Sequence, residues 1–261
     1  MKKGDGSLIK KAEEFAEEKH MGQKRKKTLF FLKEDKMKSI IFDSSSLISF
    51  SMNGLYEELK KLKKIFNGKF LITKEVKVEI IDRPLSIKAF ELEALKLKEL
   101  LDEKVLEMPS ALGVNENEIT EETKKMINLA NNTFFEGGKQ IHLIDAGEAS
   151  CLVLSRILDT KKIDNVICID ERTTRMLVEK PENLEKFLSK KLHSKINFRK
   201  ENARYFRGFK IIRSAELVYV AYKKNLVELK NGKNVLDALL WAVKFKGCAI
   251  STEEINEIER I

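Results

Sequence analysis

A chain of 261 residues, 43% of them hydrophobic, is long enough to bury one substantial core with additions and too short to demand two domains. Its three cysteines, Cys151, Cys168 and Cys248, are odd in number, far apart and set in apolar stretches, which excludes a disulfide framework and argues against a zinc site. No run approaches the roughly 18 to 20 apolar residues needed to cross a bilayer, and MKKGDGSLIKKAEEF lacks the apolar stretch of a signal peptide, so the expectation is a cytoplasmic protein without a membrane partner.

Residues 1–36, running through KKAEEFAEEKHMGQKRKK to FLKEDK, are rich in charge and have little to bury. They read either as a basic arm for nucleic acid or as a disordered tail ahead of a start at Met37. The first strand, 39–43 (SIIFD), ends in Asp43, with the small polar residues Ser44, Ser45 and Ser46 behind it. A helix near 54–65, a strand at 69–72 and a helix from Thr73 to Ile81, closed by Pro84, come next. Glu79 lies in that helix between the apolar Val78 and Ile80. Leu85, Phe90, Leu92, Ala94, Leu95, Leu97 and Leu100 form the stripe of an amphipathic helix over 85–103. After a helix at 120–131 and a glycine-bearing loop, FFEGGKQ, the pattern predicts a helix at 146–158, with Asp145 and Glu148 at capping-box spacing. The strand at 165–169 (NVICI) runs into Asp170 and Glu171, and FKII at 209–212 is a fourth strand. Helices at 214–224 and 233–246 follow, then a short one for which Ser251 and Glu254 form a capping box.

Strands alternating with helices predict a parallel sheet with helices on both faces. In such sheets ligands bind outside the carboxyl ends of the strands, where Asp43 and Asp170 are delivered. Glu79 and Glu148 belong with them. Four converging carboxylates repel one another unless cations sit between them, and hard divalent ions held by oxygen, such as Mg²⁺, meet that need.

The segments DSSSLI, EVKVEIIDRP, DAGEAS and VICIDERTTR, in this order, resemble the PIN-domain nucleases, most of all the stand-alone archaeal ones. The resemblance runs from about Met37 to the C-terminus, including VLDALLWAVKFKGCAIS. It implies a three-layer α/β/α fold with a central, mainly parallel sheet of four to five strands and extra C-terminal helices: a core over 37–215 and a helical segment, 216–261, packed on it. It also implies a metal-dependent nuclease that hydrolyses phosphodiester bonds with metal-activated water, an endoribonuclease of processing, turnover or toxin type. Asp43, Glu79, Glu148 and Asp170 are then the catalytic acids, holding Mg²⁺ or Mn²⁺ with Glu171 as a further ligand. The partner is RNA, with single-stranded DNA as a second substrate, and a homodimer and an antitoxin partner stay open. The other reading is a non-catalytic RNA-binding or assembly factor on the same fold. An aspartate-nucleophile phosphatase is disfavoured, because the position two after Asp43, where its acid would stand, is Ser45.

The net charge of +9 is local: residues 180–213 hold eleven Lys or Arg against Glu182, Glu185 and Glu201, a net +8. The stretch 181–206 is too long for a median connection of roughly four to six residues and reads as a basic insertion with its own helices. Arg199, Lys200, Arg204 and Arg207 are its candidate phosphate contacts, joined by Ser45 and Arg175 beside the acids. Phe198, Tyr205, Phe206 and Phe209 are interleaved with them as candidate stacking platforms for unpaired bases.

Overall fold

A computed structural model of the chain describes residues 38–229 and 234–260. The charged extension 1–36 therefore lies outside the described residues. Four parallel strands form the main sheet: β1 (Lys38–Phe42), β2 (Gly68–Leu71), β5 (Asp164–Cys168) and β7 (Ile211–Ile212), in the order β2-β1-β5-β7. β1 sits in the middle, with Ile40 opposite Phe70 on one side and Val166 on the other. All five of its residues are buried, as expected of a strand covered on both faces. The α/β class and the parallel sheet predicted above are therefore present, and helices pack on the sheet in an arrangement consistent with three layers.

The helices over the described residues are α1 (Ser44–Met52), α2 (Tyr56–Ile65), α3 (Lys74–Lys77), α4 (Glu91–Asp102), α5 (Glu116–Asn131), α6 (Ala146–Thr160), α7 (Arg172–Glu179), α8 (Pro181–Leu192), α9 (Lys200–Ala203), α10 (Ser214–Lys223), α11 (Val235–Phe245) and α12 (Thr252–Glu259). Several boundaries differ from the sequence reading. The stretch after Asp43 holds two helices, because Gly54 turns the chain at φ +69° between α1 and α2. The predicted helix 73–81 is one α turn followed by a π-helical turn, Val78–Asp82, and Pro84 opens a 3₁₀ turn so that α4 starts only at Glu91.

The stretch FFEGGKQ is a hairpin instead of a loop. β3 (Phe134–Glu136) and β4 (Lys139–Gln140) pair antiparallel across Gly137 and Gly138, whose φ values of 54° and 83° are what a two-residue primed turn requires. β3 also pairs with β6 (Ile196–Phe198), which makes a second, three-stranded antiparallel sheet of order β4-β3-β6. The basic insertion is thereby fastened to the hairpin, with Phe198 stacked on the buried Phe134 at 4.7 Å.

At the other end, the guanidinium of Arg213 is buried and ties the C-terminal helices to the sheet. It pairs with Glu216 at 2.5 Å and Glu254 at 3.2 Å and donates to the carbonyl of Ala249. Ser251 and Glu254 cap α12 reciprocally, as their spacing predicts. The three cysteines are free and buried, and among the described residues no helix is long and apolar enough to cross a membrane.

Candidate functional site: an acidic mouth at the carboxyl edge of the sheet

β1 ends at Phe42, and the next residue, Asp43, is both the N-cap of α1 and a buried carboxylate. Its Oδ2 accepts from the Ser45 backbone N–H at 3.0 Å and the Ser45 hydroxyl at 2.6 Å. Its Oδ1 is buried without a hydrogen-bond partner. Burial, aided by the charge of Glu79, pushes its pKa up to about 6 although the Ser45 contacts oppose the rise.

Glu79 reaches this mouth from the π-helical turn. An extra residue per turn rotates the side chains that follow, and such turns are frequent at functional sites. Its carboxylate accepts from the Ser44 hydroxyl and, at 3.1 Å, from the backbone N–H of Gly147 in the first turn of α6. The approach is so close that a Cβ at Gly147 would lie 2.5 Å from Glu79 Oε2. Glycine is needed here for space, not for backbone freedom.

Glu148, one residue on, forms the capping box that its spacing suggests: Asp145 N–H donates to its Oε2 at 2.9 Å. That bond leaves it in the mouth. Burial, aided by the charges of Asp43, Glu171 and Asp145 and opposed by the Asp145 N–H bond, pushes its pKa up to about 9. Asp145 itself faces outward, 2.8 Å from His142. Glu171 caps α7 by accepting from the Thr174 N–H at 2.7 Å, so it serves the helix while contributing negative charge to the mouth.

Asp170 is delivered to the same edge but turned to another task. Its Oδ2 accepts from the Ser49 hydroxyl at 2.7 Å and the Ser214 hydroxyl at 2.6 Å, and its Oδ1 accepts from the Ser214 N–H at 2.8 Å. Ser214 is the first residue of α10, where the helix dipole favours an anion. Ser45 links the two strand ends, since its hydroxyl donates to Asp43 and accepts from the Asp170 N–H at 3.0 Å. Thus Asp43, Glu79, Glu148 and Glu171 are brought together electrostatically, and Asp170 is held beside them with both oxygens engaged. Among the described residues, no three His, Cys, Asp or Glu side chains form a ready-made metal cage.

The basic residues divide similarly. Arg175 donates to the carbonyl of Ala249 at 2.8 Å. Arg199, Lys200, Arg204 and Arg207 are exposed. Arg199 lies over Phe135 at 4.3 Å, Arg204 over Tyr205 at 4.9 Å, and Arg207 is 3.8 Å from Glu182. Of the four aromatics offered as stacking platforms only Tyr205 is exposed; Phe206 and Phe209 are buried, and Phe198 is taken by Phe134. Their spacing is that of side chains fastening the insertion to the core.

Sequence reasoning missed Gly147, Ser49 and Ser214. The glycine is visible in DAGEAS, but its reason is a neighbour 68 positions away, and the two serines matter only because α1 and α10 flank Asp170. Comparison with known proteins gives no match to a family model, a curated protein or a solved structure.

Proposed function

We propose that the chain is a metal-dependent nuclease of PIN type that acts on RNA. The observation carrying this reading is a buried acid, Asp43, with one oxygen left without a partner among further acids at the carboxyl edge of a parallel sheet. The donor set is all oxygen and suits Mg²⁺ or Mn²⁺: Asp43, Glu79 and Glu148 would hold the ion, with Glu171 at the rim. Such an ion, when bound, acidifies water and offsets negative charge developing on a phosphate. The chain's own part is orientation. Ser45 aims Asp43, Ser44 and the Gly147 N–H aim Glu79, and Asp170 holds Ser49 and α10 against the strand ends. Arg199, Lys200, Arg204 and Arg207 would draw the phosphate backbone towards the mouth.

A non-catalytic RNA-binding or assembly factor is the second reading, favoured by the full engagement of Asp170. Calorimetric titration with Mn²⁺, together with cleavage of labelled RNA with and without EDTA, separates the two. Saturable Mn²⁺ binding that Asp43→Asn abolishes, with EDTA-sensitive cleavage, supports the nuclease. RNA binding without either supports the scaffold.

A further inference from the structure

Helix α4 has two apolar faces. Ala94, Leu97 and Leu100 are buried against the core, while Leu92 and Leu95 are 59% and 49% exposed. At 3.6 residues per turn the two exposed leucines point away from the core. The turn leading into the helix adds Ile87 and Phe90, 45% and 55% exposed. Single exposed apolar residues are ordinary, but a concentration on one helix face marks an interaction surface.

The charges around this stripe identify what fits it. Along the outward face the order is Lys88, Glu91, Leu92, Leu95, Lys96, Glu99. Laid antiparallel on itself about an axis between Glu93 and Ala94, the helix sets Leu92 against Leu95 and Glu91 against Lys96. Each pair then occurs twice, as a two-fold interface requires. Residues 87–99 carry Lys88, Lys96 and Lys98 against Glu91, Glu93 and Glu99, so the patch is neutral and offers a nucleic acid no net attraction. The present contacts of these charges lie on the same surface. Glu91 pairs with Lys88 at 2.8 Å, Lys96 stands over Tyr56 at 5.2 Å, and Glu99 is 3.9 Å from Lys60. Such surface contacts are weak and can be shared across an axis.

We propose that α4 is the centre of an isologous interface with a second copy of this chain. α4 packs on the π-helical turn that carries Glu79 and on α1, which begins at Ser44. The interface therefore braces the two elements that frame the acidic mouth, whatever chemistry the mouth performs.

The test is sedimentation velocity of the full chain over about 1 to 100 µM, with thermal melts to check folding. The wild type is expected to dimerise, and Leu92→Ser with Leu95→Ser to be monomeric. Glu91→Lys sets lysine against lysine in its own dimer, and Lys96→Glu sets glutamate against glutamate, so each alone should weaken dimerisation by about tenfold or more. Mixed together, the two variants restore every opposite-charge pair and should form a heterodimer about as tight as the wild type. A wild type that stays monomeric across this range overturns the proposal. So does a dimer that the leucine or charge variants leave intact, or a mixture that fails to recover.

Discussion

Asp43→Asn removes the charge from a buried acid of the mouth while keeping its shape. The pKa of Asp43 is pushed from 3.8 to about 6, chiefly by burial. At roughly 1.4 kcal/mol per pH unit, the ionised carboxylate costs the metal-free fold about 3 kcal/mol. The sign follows from proton binding. The folded protein holds this proton more tightly than the unfolded chain does, so its contribution to stability is full below about pH 4 and is lost as pH rises through about 6. Asparagine has no charge to lose and keeps an oxygen to accept from the Ser45 N–H. In EDTA at about pH 7.5 the variant should therefore melt higher than the wild type. The full effect corresponds to ~6 to 12 °C in a chain of this size, and weaker hydrogen bonds to the amide will reduce it. Near pH 4 the difference should vanish or reverse slightly. Mn²⁺ should raise the melting temperature of the wild type and not of the variant. Calorimetric melts between about pH 4 and pH 8, with and without Mn²⁺, read all three outcomes. A variant that melts below the wild type at about pH 7.5 in EDTA, or by an offset independent of pH, refutes the assignment of Asp43 as a buried, repelled acid.

Asp170→Asn should do the opposite: an amide cannot accept from all three donors, so the protein should lose about 1 to 3 kcal/mol in denaturant melts while Mn²⁺ affinity changes much less than in Asp43→Asn. Gly147→Ala places a methyl against the Glu79 carboxylate, which is the mobile end of a side chain, so RNA cleavage should fall by about tenfold or more with a melting temperature within a few degrees of the wild type. Replacing Arg199, Lys200, Arg204 and Arg207 together by alanine should weaken RNA binding and lower the salt slope by about 0.7 to 0.9 per contact removed, leaving Mn²⁺ titrations unchanged. Arg213→Met strips the buried partner from Glu216 and Glu254 and should cost about 3 kcal/mol in chemical denaturation, since the fold loses a buried cation that two acids were holding.

The chain order of the four main-sheet strands was readable because burial on both faces demands apolar runs such as SIIF and VICI, and helices that cover them demand a 3.6-residue stripe. The carboxyl-edge position of Asp43 and Asp170 followed from the same pattern. So did the capping boxes of α6 and α12, which involve residues three apart. The hairpin at Gly137 and Gly138 was also legible in principle, since two adjacent glycines between FFE and KQ are a turn signal.

What each acid does with its charge was decided only by the tertiary structure. Asp43 and Asp170 follow similar buried strands, yet one has an orphaned oxygen and the other is filled by serines from α1 and α10. Those serines are 121 and 44 positions distant in the chain, and no local pattern records that they meet. Glu79 reaches the mouth because the backbone inserts a π-helical turn and because Gly147, 68 residues on, leaves room for its carboxylate. The aromatics of the basic insertion carry the same lesson, since Phe198 is packed by a partner on β3 that only the antiparallel pairing supplies. Periodicity records which face of an element is buried, because burial acts on each residue where it stands. Which side chains satisfy or leave bare a given carboxylate depends on elements distant in sequence, and that is set only when the layers close.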